Sequence, residues 1–114
     1  MRDIVGSILL GLLLSGIAGA AELPPEADRI LWCGSAFYWL GTDASDAGED
    51  AEADQYFTWS DTLLLRATDL LDAAGFEDAA AAGLVERYDA EVVDQMGKPG
   101  ARYDVTRCTE LVER

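Results

Sequence analysis

The chain has 114 residues, with 22 Asp and Glu against 8 Lys and Arg, no His, and a formal net charge of −14 at neutral pH. That length holds one domain. The charge excludes nucleic acid as a partner and sets anionic membrane surfaces against the protein, because both need cations facing phosphates. The absence of His removes the usual general base near neutral pH and the commonest transition-metal ligand.

Any enzyme built from this chain would have to run on carboxylates, Tyr, Lys98 or a thiol. Half of the residues are hydrophobic, which takes the chain out of the disordered class.

Residues Ile4 to Ala18 are apolar or small throughout, and they follow Met1-Arg2-Asp3. Ala18-Gly19-Ala20 then places small residues at the −3 and −1 positions of a signal-peptidase site. Residues 1–20 therefore read as a secretory signal cleaved after Ala20 or one residue later. The alternative is an uncleaved anchor, since the apolar run is near the lower length limit for spanning a bilayer. No Cys follows the apolar run to accept a lipid. The expected location is the periplasm or the medium, with no membrane association unless the segment is retained. Residues 21–114 are expected to form a single helical domain.

Glu22-Leu23-Pro24-Pro25-Glu26 is an extended lead-in, and its second proline suits the first turn of a helix. That helix is predicted from about Pro25 to Leu40, stopping at Gly41. Its core face is Ile30, Cys33, Phe37 and Leu40. Aromatics are dense here, and Trp32, Phe37 and Trp39 are candidates for an exposed binding surface as well as for core.

Thr42 to Asp50 is acidic and small, and reads as a solvated connection. Counting Asp43 as the first position of a calcium loop puts Ser45 at the third, Gly48 at the sixth and Asp54 at the twelfth. Ala47 then stands where an oxygen ligand is needed, and Asp54 is short for a bidentate twelfth ligand. No metal or other cofactor is expected, and Asp43, Asp46, Asp50 and Asp54 are left as a loose cation candidate.

The stretch from Ala51 to Gly75 is the strongest helical signal. Ala53, Tyr56, Phe57, Ser60, Leu63, Leu64, Ala67, Leu70, Leu71 and Ala74 form one stripe at helical spacing. Gly75 follows, as a left-handed cap requires. A third helix is expected from about Glu77 to Met96, with Ala81, Leu84, Val85, Tyr88, Val92 and Met96 inward. Its run Ala79–Ala82 and Gly83 is expected to allow close approach to a neighbour. Gly97 and Pro99 end it. A last helix is expected from about Arg102 to Val112. No stretch alternates with period two for long enough to argue a strand.

The predicted fold is therefore an all-α, four-helix bundle. Its centre is a hairpin of the second and third helices, with the first and last packed on it. Cys33 and Cys108 fall on inner faces near opposite ends of the domain. In an exported protein such a pair forms a disulfide. Closing a 75-residue loop is worth about 4 kcal/mol by chain-entropy arithmetic. The spacing rejects a thioredoxin-type redox pair, and two thiolates without His partners make a poor metal site.

No Gly-rich phosphate loop is present, since Gly97-Lys98-Pro99-Gly100 lacks an amide at Pro99. Tyr88 and Tyr103 read as core or rim aromatics. The expected function is non-enzymatic: binding of an unspecified protein partner as an exported accessory protein.

The early helical Cys33, the alanine- and leucine-rich middle and Cys108 in the last helix resemble a pattern found in uncharacterised small exported proteins of proteobacteria. That resemblance implies a disulfide-tied helical fold and brings no activity with it. In size, export and its single cysteine pair the chain is also similar to acid-activated periplasmic chaperones, although it shares no residue motif with them. In strong acid the carboxylates of the mature chain neutralise and its charge reverses to about +8. An acid-responsive holdase exposing Trp32, Phe37 and Trp39 is therefore the alternative function.

Overall fold

In the computed structural model, which describes residues 21–114, Pro24 caps a first helix and Pro25 occupies its first turn. The signal-peptide expectation falls on residues 1–20, outside the described residues. Helix α1 spans Pro25–Asp46, α2 Asp50–Ala73 and α3 Asp78–Gln95. A single 3-10 turn, Val105–Arg107, precedes the short α4, Thr109–Val112. The described chain is all-α, as its periodicity predicts.

Helix α1 runs past Gly41 and ends five residues later than that glycine. The stop is Gly48, whose φ of 79° lies in the left-handed region. The Glu49 amide donates to the Ala44 carbonyl at 2.8 Å and the Gly48 amide to the Ser45 carbonyl at 3.0 Å. This is the paired closure of a Schellman cap. The same closure ends α2, with Gly75 at φ 95°, Phe76 donating to Leu71 and Gly75 to Asp72. Phe76 then packs on the core.

The principal partner of α2 is α1, which it meets over much more of its length than it meets α3. The dominant hairpin is thus the first two helices rather than the second and third, and α3 lies mainly against α1. The reason is backbone proximity. A Cβ on Gly41 would stand 2.7 Å from the Phe57 ring, and one on Gly34 would stand 2.9 Å from Leu64 Cδ2. The small residues that permit close approach are therefore in α1. Gly83 of α3 has open space around it, and Ala79, Ala80 and Ala82 are exposed.

Leu31, Trp32, Phe37, Leu63, Leu71 and Val92 are fully buried between these helices. Burying a side chain of this size contributes roughly 1.5–3 kcal/mol. Two buried hydroxyls are satisfied within the core. Ser60 Oγ donates to the Gly34 carbonyl at 2.7 Å, and Ser35 Oγ donates to Asp89. The disulfide Cys33–Cys108 ties the C-terminal segment to α1. That segment is not one helix from Arg102. The Asp104 carboxylate accepts from the Thr106 amide at 3.0 Å, and this local bond turns the chain before α4.

Candidate functional site

The aromatic side chains of α1 divide by register. Trp32 and Phe37 are 1% exposed, so neither forms a binding surface in the folded protein. Phe37 is at the centre of a cluster with Trp59 at 5.2 Å and Tyr56 at 6.1 Å between ring centroids. Trp39 is half-buried, and its Nε1 is shielded without a hydrogen-bond partner among the described residues. The residue between them reaches solvent: Tyr38 is 44% exposed. Its ring stands 5.3 Å from Trp39 and 5.8 Å from the half-buried Phe57. An aromatic edge thus runs along the α1–α2 seam, centred one residue away from the predicted Phe37. Asp54 and Asp61 share the Phe57 face of α2 by helical spacing and are exposed.

Among the described residues the acidic turn does not bring its carboxylates together. Asp43 and Asp46 belong to α1, and Asp50 and Asp54 to α2. The intervening loop is only Ala47-Gly48-Glu49. All four carboxylates are exposed, and no group of three or more acidic or thiol side chains is placed to hold a metal among the described residues. Helix α1 outran its predicted end, and in doing so it consumed the loop that a calcium site needs.

At the other end of α1 the chain builds a polar clasp. Asp28 accepts from Tyr88 Oη at 2.5 Å and Tyr103 Oη at 2.5 Å. Arg102 adds a two-pronged ion pair, at 2.8 and 3.0 Å, and pairs also with Glu91. Gln95 Oε1 accepts from Trp32 Nε1 at 3.2 Å and from the Arg102 amide at 3.1 Å. Burial pushes the Asp28 carboxyl up, but the Arg102, Tyr103 and Tyr88 donors outweigh it and hold it below its ordinary value. Burial and the Asp28 carboxylate push the Tyr88 phenol up to about 12. Tyr88 is a core aromatic and Tyr103 a rim one, and both hydroxyls are spent on Asp28. The clasp joins α1, α3 and the C-terminal segment, and sequence spacing carried no sign of it because its members come from three elements.

Beside the clasp is a hollow of about 540 Å³ lined by Pro25, Glu26, Arg29, Ile30, Arg66, Tyr103, Leu111 and Arg114. A neighbouring hollow shares Arg29 and Tyr103 and adds Arg102 and Arg107. Five of the seven Arg and Lys residues between positions 21 and 114 therefore collect at this end. The carboxylates of the α1–α2 turn are at the other.

The class this fold defines is a small, disulfide-braced, all-α bundle. The disulfide points to an oxidising compartment outside the cytoplasm. No described helix is long and apolar enough to cross a membrane. The chain matches no protein-family model, and searches of curated proteins and of solved structures returned no match.

Proposed function

We propose that this protein is exported to the periplasm or the medium and acts there as a non-enzymatic accessory protein that binds a protein partner. Its contact surface is the edge formed by Tyr38, Trp39 and Phe57. The observation that carries this reading is the exposure of Tyr38 on an aromatic neighbourhood. Aromatics with one wet side are the anchors on which interfaces concentrate their energy. Asp54 and Asp61 beside Phe57, in a chain of net charge −14, favour a partner that sets Lys or Arg next to an apolar anchor. The signal-like residues 1–20 and the disulfide support export.

The test is a photo-crosslinking amino acid placed at Tyr38 and, as control, at the exposed Glu86 of α3, in the native host. One stoichiometric partner captured from position 38 alone is the expected result. Equal capture from both positions, or none from position 38, overturns it.

One observation favours the holdase as a second reading. Trp32 is buried edge-on to Tyr103, 5.7 Å between centroids, behind a clasp that depends on the Asp28 carboxylate. Strong acid that protonates Asp28 removes the acceptor on which Arg102, Tyr88 and Tyr103 converge, which would release the segment covering Trp32. Capture of many unrelated exported proteins from position 38 would support this second reading.

A further inference from the structure

Beyond partner binding, we propose that the hollow between the first turn of α1 and the C-terminal segment is a binding site for a small organic carboxylate with an apolar body. It stands apart from the Tyr38 edge, so either assignment survives failure of the other.

The hollow pairs two chemistries. Ile30, Leu111 and Tyr103 supply apolar surface, and Ile30 and Leu111 are each 4% exposed. Arg29, Arg66 and Arg114 supply guanidinium groups around it. Arg66 uses one nitrogen on the Leu111 carbonyl, at 2.7 Å, which fixes its head at the hollow while its other N–H donors remain. Arg29 makes only a 3.5 Å contact with Glu110, and Glu110 is held more closely by Arg107, at 3.0 Å. Arg114 has no ion pair among the described residues. Guanidinium forks match a carboxylate in a planar, two-bond geometry.

Charge selects against the other anions. One carboxylate, Glu26, lines the hollow with the three arginines, and the whole chain carries −14. A polyanion extending beyond the hollow meets that field, whereas one carboxylate within a Debye length of about 8 Å meets the arginines first. The volume lies in the range of small-molecule sites, and an apolar body gains from the floor what a bare anion does not. The disulfide frames the site by holding Leu111 and Arg114 beside Arg29, because Cys33 is one turn beyond Arg29 and Cys108 one turn before Leu111.

The test is titration of the oxidised protein with decanoate below its micellar concentration, followed by calorimetry and amide NMR. Decanol, decyltrimethylammonium and inorganic phosphate are the comparison probes. The expected result is saturable decanoate binding with shifts at Arg29, Ile30, Leu111 and Arg114, and at least tenfold weaker binding of each other probe. Arg29→Gln with Arg114→Gln should weaken decanoate about tenfold or more at an unchanged melting temperature. Arg66 is left intact because it also holds α4. Decanol binding as tightly as decanoate, phosphate binding as tightly as decanoate, no decanoate binding, or an unaffected double variant each overturns the proposal.

Discussion

Arg102 closes a two-pronged ion pair on Asp28, a residue 74 positions earlier in the chain. Asp28 stands in the first turn of α1 and Arg102 in the irregular segment after α3, so this pair holds the C-terminal segment in place together with the disulfide. Asp28→Asn should lower stability at neutral pH by about 1–2 kcal/mol. This is less than a buried charged hydrogen bond would give, because Arg102 is partly solvated. Urea unfolding measures it.

The clasp also sets a pH dependence. The folded-state pKa of Asp28 is depressed, so its contribution is fully present above the ordinary carboxylate value, about 3.9, and is lost as pH falls through the lower folded value. The stability difference between wild type and Asp28→Asn should therefore persist at pH 5 and shrink below about pH 4. At the alkaline end Tyr88 is raised to about 12, so its contribution is present below about pH 10 and fades as pH rises through about 12. Absorbance titration should find one phenol ionising near the upper value, and Asp28→Asn should lower it.

Replacing both cysteines by Ser should destabilise the protein by about 2–4 kcal/mol, since the bridge Cys33–Cys108 closes a long loop in a small domain. Thermal unfolding of wild type with and without reductant should reproduce the same loss. Equal melting temperatures would contradict a structural role.

Glycine replacement should act with opposite sign in two helices. Gly41→Ala drives a methyl into the Phe57 ring and should cost about 1–3 kcal/mol. Gly83→Ala meets open space within α3 and should stabilise by about 0.5–1 kcal/mol. Urea midpoints of the two variants against wild type decide it.

Adjacent aromatics should behave differently. Phe37→Ala empties the middle of the Tyr56–Trp59 cluster and should cost about 3–5 kcal/mol. Tyr38→Ala removes a half-exposed ring and should cost about 1 kcal/mol or less, while abolishing capture of the proposed partner by a crosslinker placed at the neighbouring exposed Asp61. Chemical denaturation gives the first comparison, and crosslinking gives the second.

Periodicity alone identified the three long helices, because an apolar stripe at helical spacing has one physical meaning in a chain of this length. The α2 stripe from Ala53 to Leu71 and the Gly75 cap lie where spacing put them. The disulfide was legible for a related reason: two inward cysteines in one small domain have few other partners. Helix ends were less so. Gly41 and Gly48 look alike in sequence, yet one is buried against Phe57 and the other turns the chain, and only packing separates a glycine needed for space from one needed for its φ. The same holds for Phe37 and Tyr38, because a rotation of one residue, about 100°, carries a side chain from the core to water.

Composition, the signal-like pattern of residues 1–20 and helical class were properties of the sequence itself. The pairing of α1 with α2, the Asp28 clasp and the gathering of Arg29, Arg66 and Arg114 around one hollow were decided by tertiary structure. Each joins residues dozens of positions apart, and no local spacing encodes such a meeting.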